Sequence, residues 1–146
     1  MTTLYAEKYA EYQGIMNAYH ATEDEDEKER LRQKSRVFKD RIQHGSDAFA
    51  KYFWIYADAK KRGNDYIDIH DPVAADKVFE EVRDLKALGF KHFTISSTWS
   101  GAIENAWLFN QNGCTLIGMV EINSQYQASY GLDGYEKAHA LLFSID

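Results

Sequence analysis

The chain has 146 residues, 45% of them apolar and 27% charged, which is the balance of an ordinary globular domain with a real core. The lone Cys114 excludes an intramolecular disulfide and a cysteine-rich zinc motif. A net charge of −6 argues against sequence-independent binding to nucleic acid, because such binding needs clustered Lys and Arg. The sequence has no apolar run long enough for a membrane span and no signal-peptide pattern at its start, so we expect a cytoplasmic protein.

The first predicted element is a helix with an aromatic stripe. Apolar residues recur at spacings of four, three, four and three, which is the period of one helix face. The stripe consists of Tyr5, Tyr9, Tyr12, Met16 and Tyr19. Such a stripe is typical of a packed core, and a surface that binds a partner or a second copy is the alternative.

A second helix is predicted from a capping box, in which Thr22 and Glu25 satisfy each other's backbone N–H groups. Five consecutive acids, residues 23–27, suit the positive end of its dipole, and basic residues follow them. A third helix carries Phe49, Tyr52 and Phe53 on one face, and Gly63 ends it. The acidic run has two interpretations, a solvated helix start or a contact with a basic partner.

The second half of the sequence alternates between strand and helix patterns. Asp71 and Pro72 fit the N-cap and first position of the helix that follows the first strand. The strands are predicted at residues 66–70, 90–96, 114–122 and 138–145, with helices at 73–88 and 99–109 and a loop at 123–134. The third strand is apolar on both faces, which is typical of a central strand.

The predicted fold is α/β or α+β, with N-terminal helices followed by a β-α-β-α-β-β unit. Since strand–helix–strand connections are right-handed, we expect the first three strands to be parallel and the fourth to be an antiparallel neighbour of the third. The sheet is therefore expected to be small and mostly parallel. We expect residues 1–45 to form a helical hairpin extension and residues 46–146 the α/β domain, within one compact unit.

Polar residues follow the first three predicted strands. Because ligands bind beyond the carboxyl ends of parallel strands, we expect these side chains to meet there. They are Asp68, His70, Asp71, Ser96, Ser97, Thr98, Asn123 and Tyr126. This set, called here the strand-end cluster, is a candidate ligand site.

Most of the strand-end cluster also has a structural interpretation. Hydroxyl residues at 96–98 fit a helix N-cap. The same stretch lacks the first glycine of a nucleophile elbow and the lysine of a phosphate loop. A divalent metal near His70 is an alternative, but zinc usually takes four ligands, so we expect no metal and no other cofactor.

Several short stretches of the second half are distinctive as a set. They are GNDYID at 63–68, FTISS at 93–97, SGAIE at 100–104, GC at 113–114 and GMVEIN at 118–123. The set resembles a family of small domains of unknown function from Gram-positive bacteria and their phages and conjugative elements, over about residues 50–146. The resemblance implies an intracellular α/β domain and no established reaction, so it assigns no catalytic residue.

The leading hypothesis is a non-enzymatic inhibitor that binds a basic protein and makes no direct contact with nucleic acid. Small acidic proteins of mobile elements include anti-CRISPR inhibitors, and a type II CRISPR effector nuclease is the favoured target. Complementary charge would speed encounter, and aromatic side chains would supply affinity. The predicted contact residues are Glu23, Asp24, Glu25, Asp26, Glu27, Tyr5, Tyr9 and Tyr12.

The sequence also fits two alternatives. The strand-end cluster would make the protein a small-ligand or metal-binding domain, or an enzyme. The tyrosine stripe would make it a module that forms a homodimer across a two-fold axis.

Overall fold

The structure is a computed structural model that describes residues 3–44, 47–70, 73–96, 101–127 and 134–146. It is an α+β fold in which helices precede a four-stranded mixed sheet, and this confirms the predicted fold class. In chain order the elements are α1 (Thr3–Ala21), α2 (Glu25–Gln43), α3 (Asp47–Lys61), β1 (Asp68–Ile69), a 3-10 turn (Ala75–Lys77), α4 (Val78–Ala87), β2 (His92–Ile95), α5 (Ala102–Gln111), β3 (Cys114–Gln127) and β4 (Tyr135–Ile145).

The contacts within the chain divide it into two compact units. Residues 2–54 form the helical unit, and residues 55–146 form the sheet unit. The division falls inside α3, whereas the sequence predicted one near residue 45. Within the described ranges, no helix is both long enough and apolar enough to cross a membrane.

The core of the helical unit is aromatic. Tyr5 is fully buried, its ring stacks on Phe49 at 4.9 Å between centroids, and its hydroxyl donates to the Phe49 carbonyl at 3.1 Å. Burial raises the pKa of Tyr5 above its usual range. Tyr12 packs on Phe38 at 5.5 Å and meets Trp54 edge-on at 5.7 Å. The stripe on α1 therefore contributes to the interior of this unit.

The start of α2 differs from the predicted capping box. Asp24 is the N-cap, and its Oδ1 accepts from the backbone N–H groups of Asp26 at 2.9 Å and Glu27 at 3.3 Å. Thr22 instead accepts the N–H of Asp24 at 3.2 Å. The predicted capping box was wrong because Asp caps a helix at least as well as Thr, and Asp24 lies two residues nearer the start of α2 than Thr22 does.

In the sheet unit, β4 lies between β2 and β3, giving the strand order β1-β2-β4-β3. β1 is parallel to β2, and β4 is antiparallel to both of its neighbours. The first three strands therefore run in one direction, and β4 is an antiparallel neighbour of β3, both as predicted. The expectation of a mostly parallel sheet was wrong for the pairings, since only β1 and β2 pair in parallel.

The prediction that β3 is a central strand was wrong, because β3 is an outer strand of the sheet. Its apolar residues Leu116, Ile117 and Met119 are 48%, 54% and 70% exposed. The predicted loop at 123–134 was also partly wrong, since β3 continues to Gln127. The reason is that Asn123 stays in register with Lys137 of β4, which itself begins at Tyr135.

Two aromatic residues join β2 to β4. Phe93 lies opposite Phe143 in the register, and their rings stack at 5.3 Å. Phe109 of α5 packs on Phe93 at 4.9 Å, so α5 covers this face of the sheet. This aromatic contact between β2 and β4 is buried, since all three side chains are at most 1% exposed.

The helix after β1 begins later than predicted. Val73 is not helical, because the side chain of Asn105 accepts the Val73 N–H at 2.9 Å and donates to its carbonyl at 2.8 Å. The 3-10 turn follows, and α4 starts at Val78. Asn105, on α5, thereby holds the connection from β1 against the helix layer.

Cys114 gives a direct test of this packing. It begins β3 and is 1% exposed, and burial raises the pKa of its thiol to about 11. Since the thiolate is the reactive form, we expect iodoacetamide at about pH 8 to alkylate the native protein much more slowly than urea-unfolded protein. Mass spectrometry over time measures both rates, and equal rates would contradict the burial.

Candidate functional site

The strand-end cluster is not gathered into one site. Because β4 separates β2 from β3, these two strands lie about 10 Å apart, two strand spacings, and β3 continues beyond the level at which β2 ends. Ser96 lies beside Asp68, whereas Asn123 lies across β4. His70 is half-buried. Asp71, Ser97, Thr98 and the side chain of Tyr126 lie outside the described residues.

Asp68 is a buried carboxylate whose hydrogen bonds lie within the fold. The parallel register places it opposite Thr94, whose hydroxyl donates to Oδ1 at 2.6 Å, and the Ser96 hydroxyl donates to Oδ2 at 2.5 Å. Hydrogen bonds to a buried carboxylate offset the cost of removing it from water. This arrangement accounts for Asp68 and Ser96 as structural residues. In the part of the chain that the structure describes, no three His, Cys, Asp or Glu side chains form a group that could hold a metal ion.

A groove runs beside the outer edge of β3. The chain reaches it at the end of α3, where Gly63 adopts a φ of +75°, in the left-handed region that favours glycine. The N–H of Gly63 bonds to the Lys60 carbonyl at 3.0 Å and that of Asn64 to the Ala59 carbonyl at 2.9 Å. This pattern is a Schellman motif, and it directs Asn64 to the edge of β3.

The side chain of Asn64 takes the place of a neighbouring strand. Its amide donates to the Asn123 carbonyl at 2.9 Å and accepts the Asn123 N–H at 2.9 Å. The Asn123 side chain donates in turn to the Arg62 carbonyl at 2.5 Å. Both backbone groups of Asn123 therefore point away from β4. Asn64 is 7% exposed and was not among the predicted site residues, although it lies in the GNDYID stretch.

Arg62 lies directly before this turn and is largely buried, with 9% of its side chain exposed. It forms an ion pair with Asp58 one helical turn earlier. Its Nε–H has no hydrogen-bond acceptor among the described residues. Burial lowers the pKa of Arg62, and the nearby charge of Asp68 opposes that shift. The Nη1 of Arg62 donates to the Asn123 carbonyl at 3.5 Å, so the guanidinium is an incompletely paired cation beside β3.

The groove is open, with a volume of about 400 Å³, and is lined by residues 63–66, residues 120–123 and Lys137. Asp65 and Glu121 are exposed carboxylates. The Lys137 ammonium is hydrogen-bonded to the Asn123 side chain. Two stretches that carry the resemblance, GNDYID and GMVEIN, both contribute to this groove.

The acidic run at 23–27 is exposed except for Glu27, and much of its charge is balanced locally. Residues 23–43 hold seven acids and seven bases, a net charge of zero. Arg30 donates to Glu27 at 2.9 Å, and this hydrogen bond lowers the pKa of Glu27. By contrast, residues 55–146 hold 13 acids and 8 bases, a net charge of −5. The excess negative charge thus belongs to the sheet unit.

The predicted contact tyrosines are not on an open surface. Tyr5 is 0% exposed, because it fills the aromatic core of the helical unit. Tyr9 and Tyr12 are half-buried. Tyr5 therefore cannot meet a partner without unfolding of that core.

Exposed apolar side chains occur instead on α4 and α5 of the sheet unit, which contact each other. Phe79 on α4 is 67% exposed, and Ile103 and Trp107, one turn apart on α5, are 83% and 59% exposed. Glu80 and Glu104 adjoin them in sequence and are exposed. We call these five residues the acidic–apolar face.

The sequence profile of a family described as a domain of unknown function, DUF7698, matches residues 51–145. The match covers the whole described sheet from β1 to β4 and the groove beside β3. No curated protein and no solved structure matches the chain.

The hydrogen bonds of Asp68 can be tested by stability. Replacing Thr94→Val keeps the shape but removes the donor to a buried carboxylate, so we expect unfolding free energy to fall by about 1–3 kcal/mol. Thr115→Val is the control, because Thr115 is exposed and bonds to the exposed Asp146, and it should change stability by less than about 0.5 kcal/mol. Urea unfolding followed by circular dichroism measures both, and equal losses would contradict the role of Asp68.

Proposed function

This chain belongs to DUF7698, a family of domains of unknown function, and we propose that it acts without catalysis, by binding a second protein. The observation that carries the proposal is the exposure of Phe79, Ile103 and Trp107 on two helices that contact each other. Large apolar side chains grouped on a surface are typical of protein-binding sites, and Trp is enriched among the residues that dominate binding energy.

The charge of the sheet unit favours a basic partner. Its net charge of −5 and the carboxylates of Glu80 and Glu104 beside the apolar side chains would attract a positive surface. Such attraction raises the association rate, and desolvation of the apolar centre then slows dissociation. A nucleic-acid-binding channel has the matching chemistry, because it is lined with Lys and Arg.

The target that we propose is a host defence effector in the cytoplasm, and specifically a type II CRISPR effector nuclease. Support comes from the acidic charge, the small size and the resemblance to domains of phages and conjugative elements in Gram-positive bacteria. In this proposal the acidic–apolar face contacts the partner, while the run at 23–27 contributes less because residues 23–43 carry no net charge. Asp68, Ser96 and Asn123 of the strand-end cluster form hydrogen bonds within the fold, and this favours a structural role for them over a ligand-binding or enzymatic one.

The apolar part of the proposal predicts the effect of Trp107→Ala. A tagged protein with this change should retain at most about a tenth of the wild-type affinity for the captured partner, because a hot-spot side chain is lost. Val37→Ala is the control, since Val37 is a 49% exposed apolar residue on α2. Affinity capture from a host lysate, identification by mass spectrometry and surface plasmon resonance give the comparison. Equal affinities of the two variants would contradict the proposal that the acidic–apolar face binds the partner.

The electrostatic part predicts a difference between two acidic surfaces. Charge reversal at Glu80 and Glu104 should slow association with the captured partner and flatten its salt dependence, with little change in dissociation. Replacing residues 23–27 with serine should have a smaller effect. Association rates at low and high salt test this, and a larger effect of the serine variant would place the contact on the helical unit instead.

A further inference from the structure

We propose that the outer edge of β3 is a docking site for an extended peptide segment that carries a basic side chain and that adds to the sheet as a fifth strand. This site goes beyond the protein-binding function proposed above and shares no residue with the acidic–apolar face. Its basis is the set of backbone groups that β3 leaves unpaired beside the groove.

The hydrogen bonds of Asn123 fix which backbone groups of β3 point outward. Residues in an antiparallel pair alternate between facing their partner and facing away. Asn123 faces away from β4, because Asn64 holds both its backbone groups. The register from Gly118 to Asn123 is continuous, so Met119 and Glu121 also face away. Nothing in the described ranges hydrogen-bonds to the outward groups of these two residues.

The groove limits where a new strand can lie. The Asn64 amide already occupies the position opposite Asn123, so an added strand ends there and extends toward Leu116. A short segment fits this space better than the whole of a second β3, whose 14 residues would meet Asn64 in most antiparallel registers. Added strands of this kind bind through main-chain hydrogen bonds, and side chains at alternate positions give specificity.

The side chains beside these backbone groups define the chemistry of the segment. Met119 and Glu121 lie on one face of β3, since they are two residues apart, and Met119 is 70% exposed. Asp65 lines the groove with Glu121, whereas Lys137 is already bonded to Asn123. The complementary segment therefore has an apolar residue opposite Met119 and, two positions away, a Lys or Arg opposite Glu121.

The probe is the blocked, fluorescein-labelled peptide Thr-Lys-Thr-Val-Thr-Val, which in an antiparallel pair with β3 places its Lys opposite Glu121 and its first Val opposite Met119. Its binding to the intact protein is measured by fluorescence anisotropy. We expect it to bind at least about tenfold more tightly than the same peptide with Glu in place of Lys. Glu121→Gln should weaken binding of the Lys peptide, whereas Asp76→Asn in the 3-10 turn, where Asp76 is exposed, should not. In ¹⁵N spectra, the amides of Met119 and Glu121 should shift on addition of the Lys peptide.

Two N-methylated forms of the peptide separate strand addition from charge attraction. A strand bonds to its neighbour through one alternate set of N–H groups, so methylation of one set should abolish binding and methylation of the other should preserve it. Equal binding of the two forms would overturn the proposal, as would the absence of binding at millimolar peptide. The protein without peptide is the last check. If its mass in solution is doubled and the amide signals of Met119 and Glu121 shift with protein concentration, the edge of β3 binds a second copy of this chain, and the proposal is overturned.

Discussion

The sheet unit depends on the insertion of β4 between β2 and β3. The buried contact of Phe93 with Phe143 secures one side of β4, and the long register with β3 secures the other. A stacked aromatic pair of this kind stabilises the fold beyond the free energy gained by burying the apolar area of its two rings. One consequence is that β3 is moved to the outside. Another is that Asp68 and Ser96 are separated from Asn123 of β3 by a whole strand.

An outer strand with exposed apolar residues would ordinarily be an aggregation hazard. Here Asn64 pairs with the outer backbone of β3 at Asn123, and the bulge between Leu116 and Gly118 interrupts the regular ladder. The stretch at Met119 and Glu121, between these two features, keeps an outward-facing, regular edge. The same solution recurs in the helix layer, where Asn105 pairs with both backbone groups of Val73. Asparagine suits this use because its amide carries a donor and an acceptor like a peptide group.

Much of the fold could be predicted from the sequence, because helix periodicity and strand alternation are local signals. The buried residues Leu31, Phe38 and Ile42 of α2 and Val78, Val82 and Leu85 of α4 show that periodicity. Strand directions followed from the connections. The position of β4 beside β2 could not be predicted, since it depends on packing between residues 50 positions apart, Phe93 and Phe143.

The candidate sites were harder to predict than the fold. The acidic run was visible in the sequence, but its neutralisation required the full charge of α2 and its ion pairs. Tyr5 and Tyr12 were recognisable as one stripe, yet composition alone does not decide whether a stripe faces the interior. Asn64 and Asn105 carry no periodic signal at all. Their roles arise only when the turn after α3 meets β3 and α5 meets the segment after β1.

Residue-resolved hydrogen–deuterium exchange of β3 tests the central claim, that β3 is the outer strand and β4 lies inside it. The account predicts alternation, with rapid exchange at Met119 and Glu121, whose N–H groups face outward, and slow exchange at Val120 and Ile122, whose N–H groups face β4. Asn123 should exchange slowly despite facing outward, because Asn64 accepts its N–H. Uniform protection from Gly118 to Asn123 would mean that β3 is paired on both sides, and would contradict the strand order on which the proposed docking edge depends.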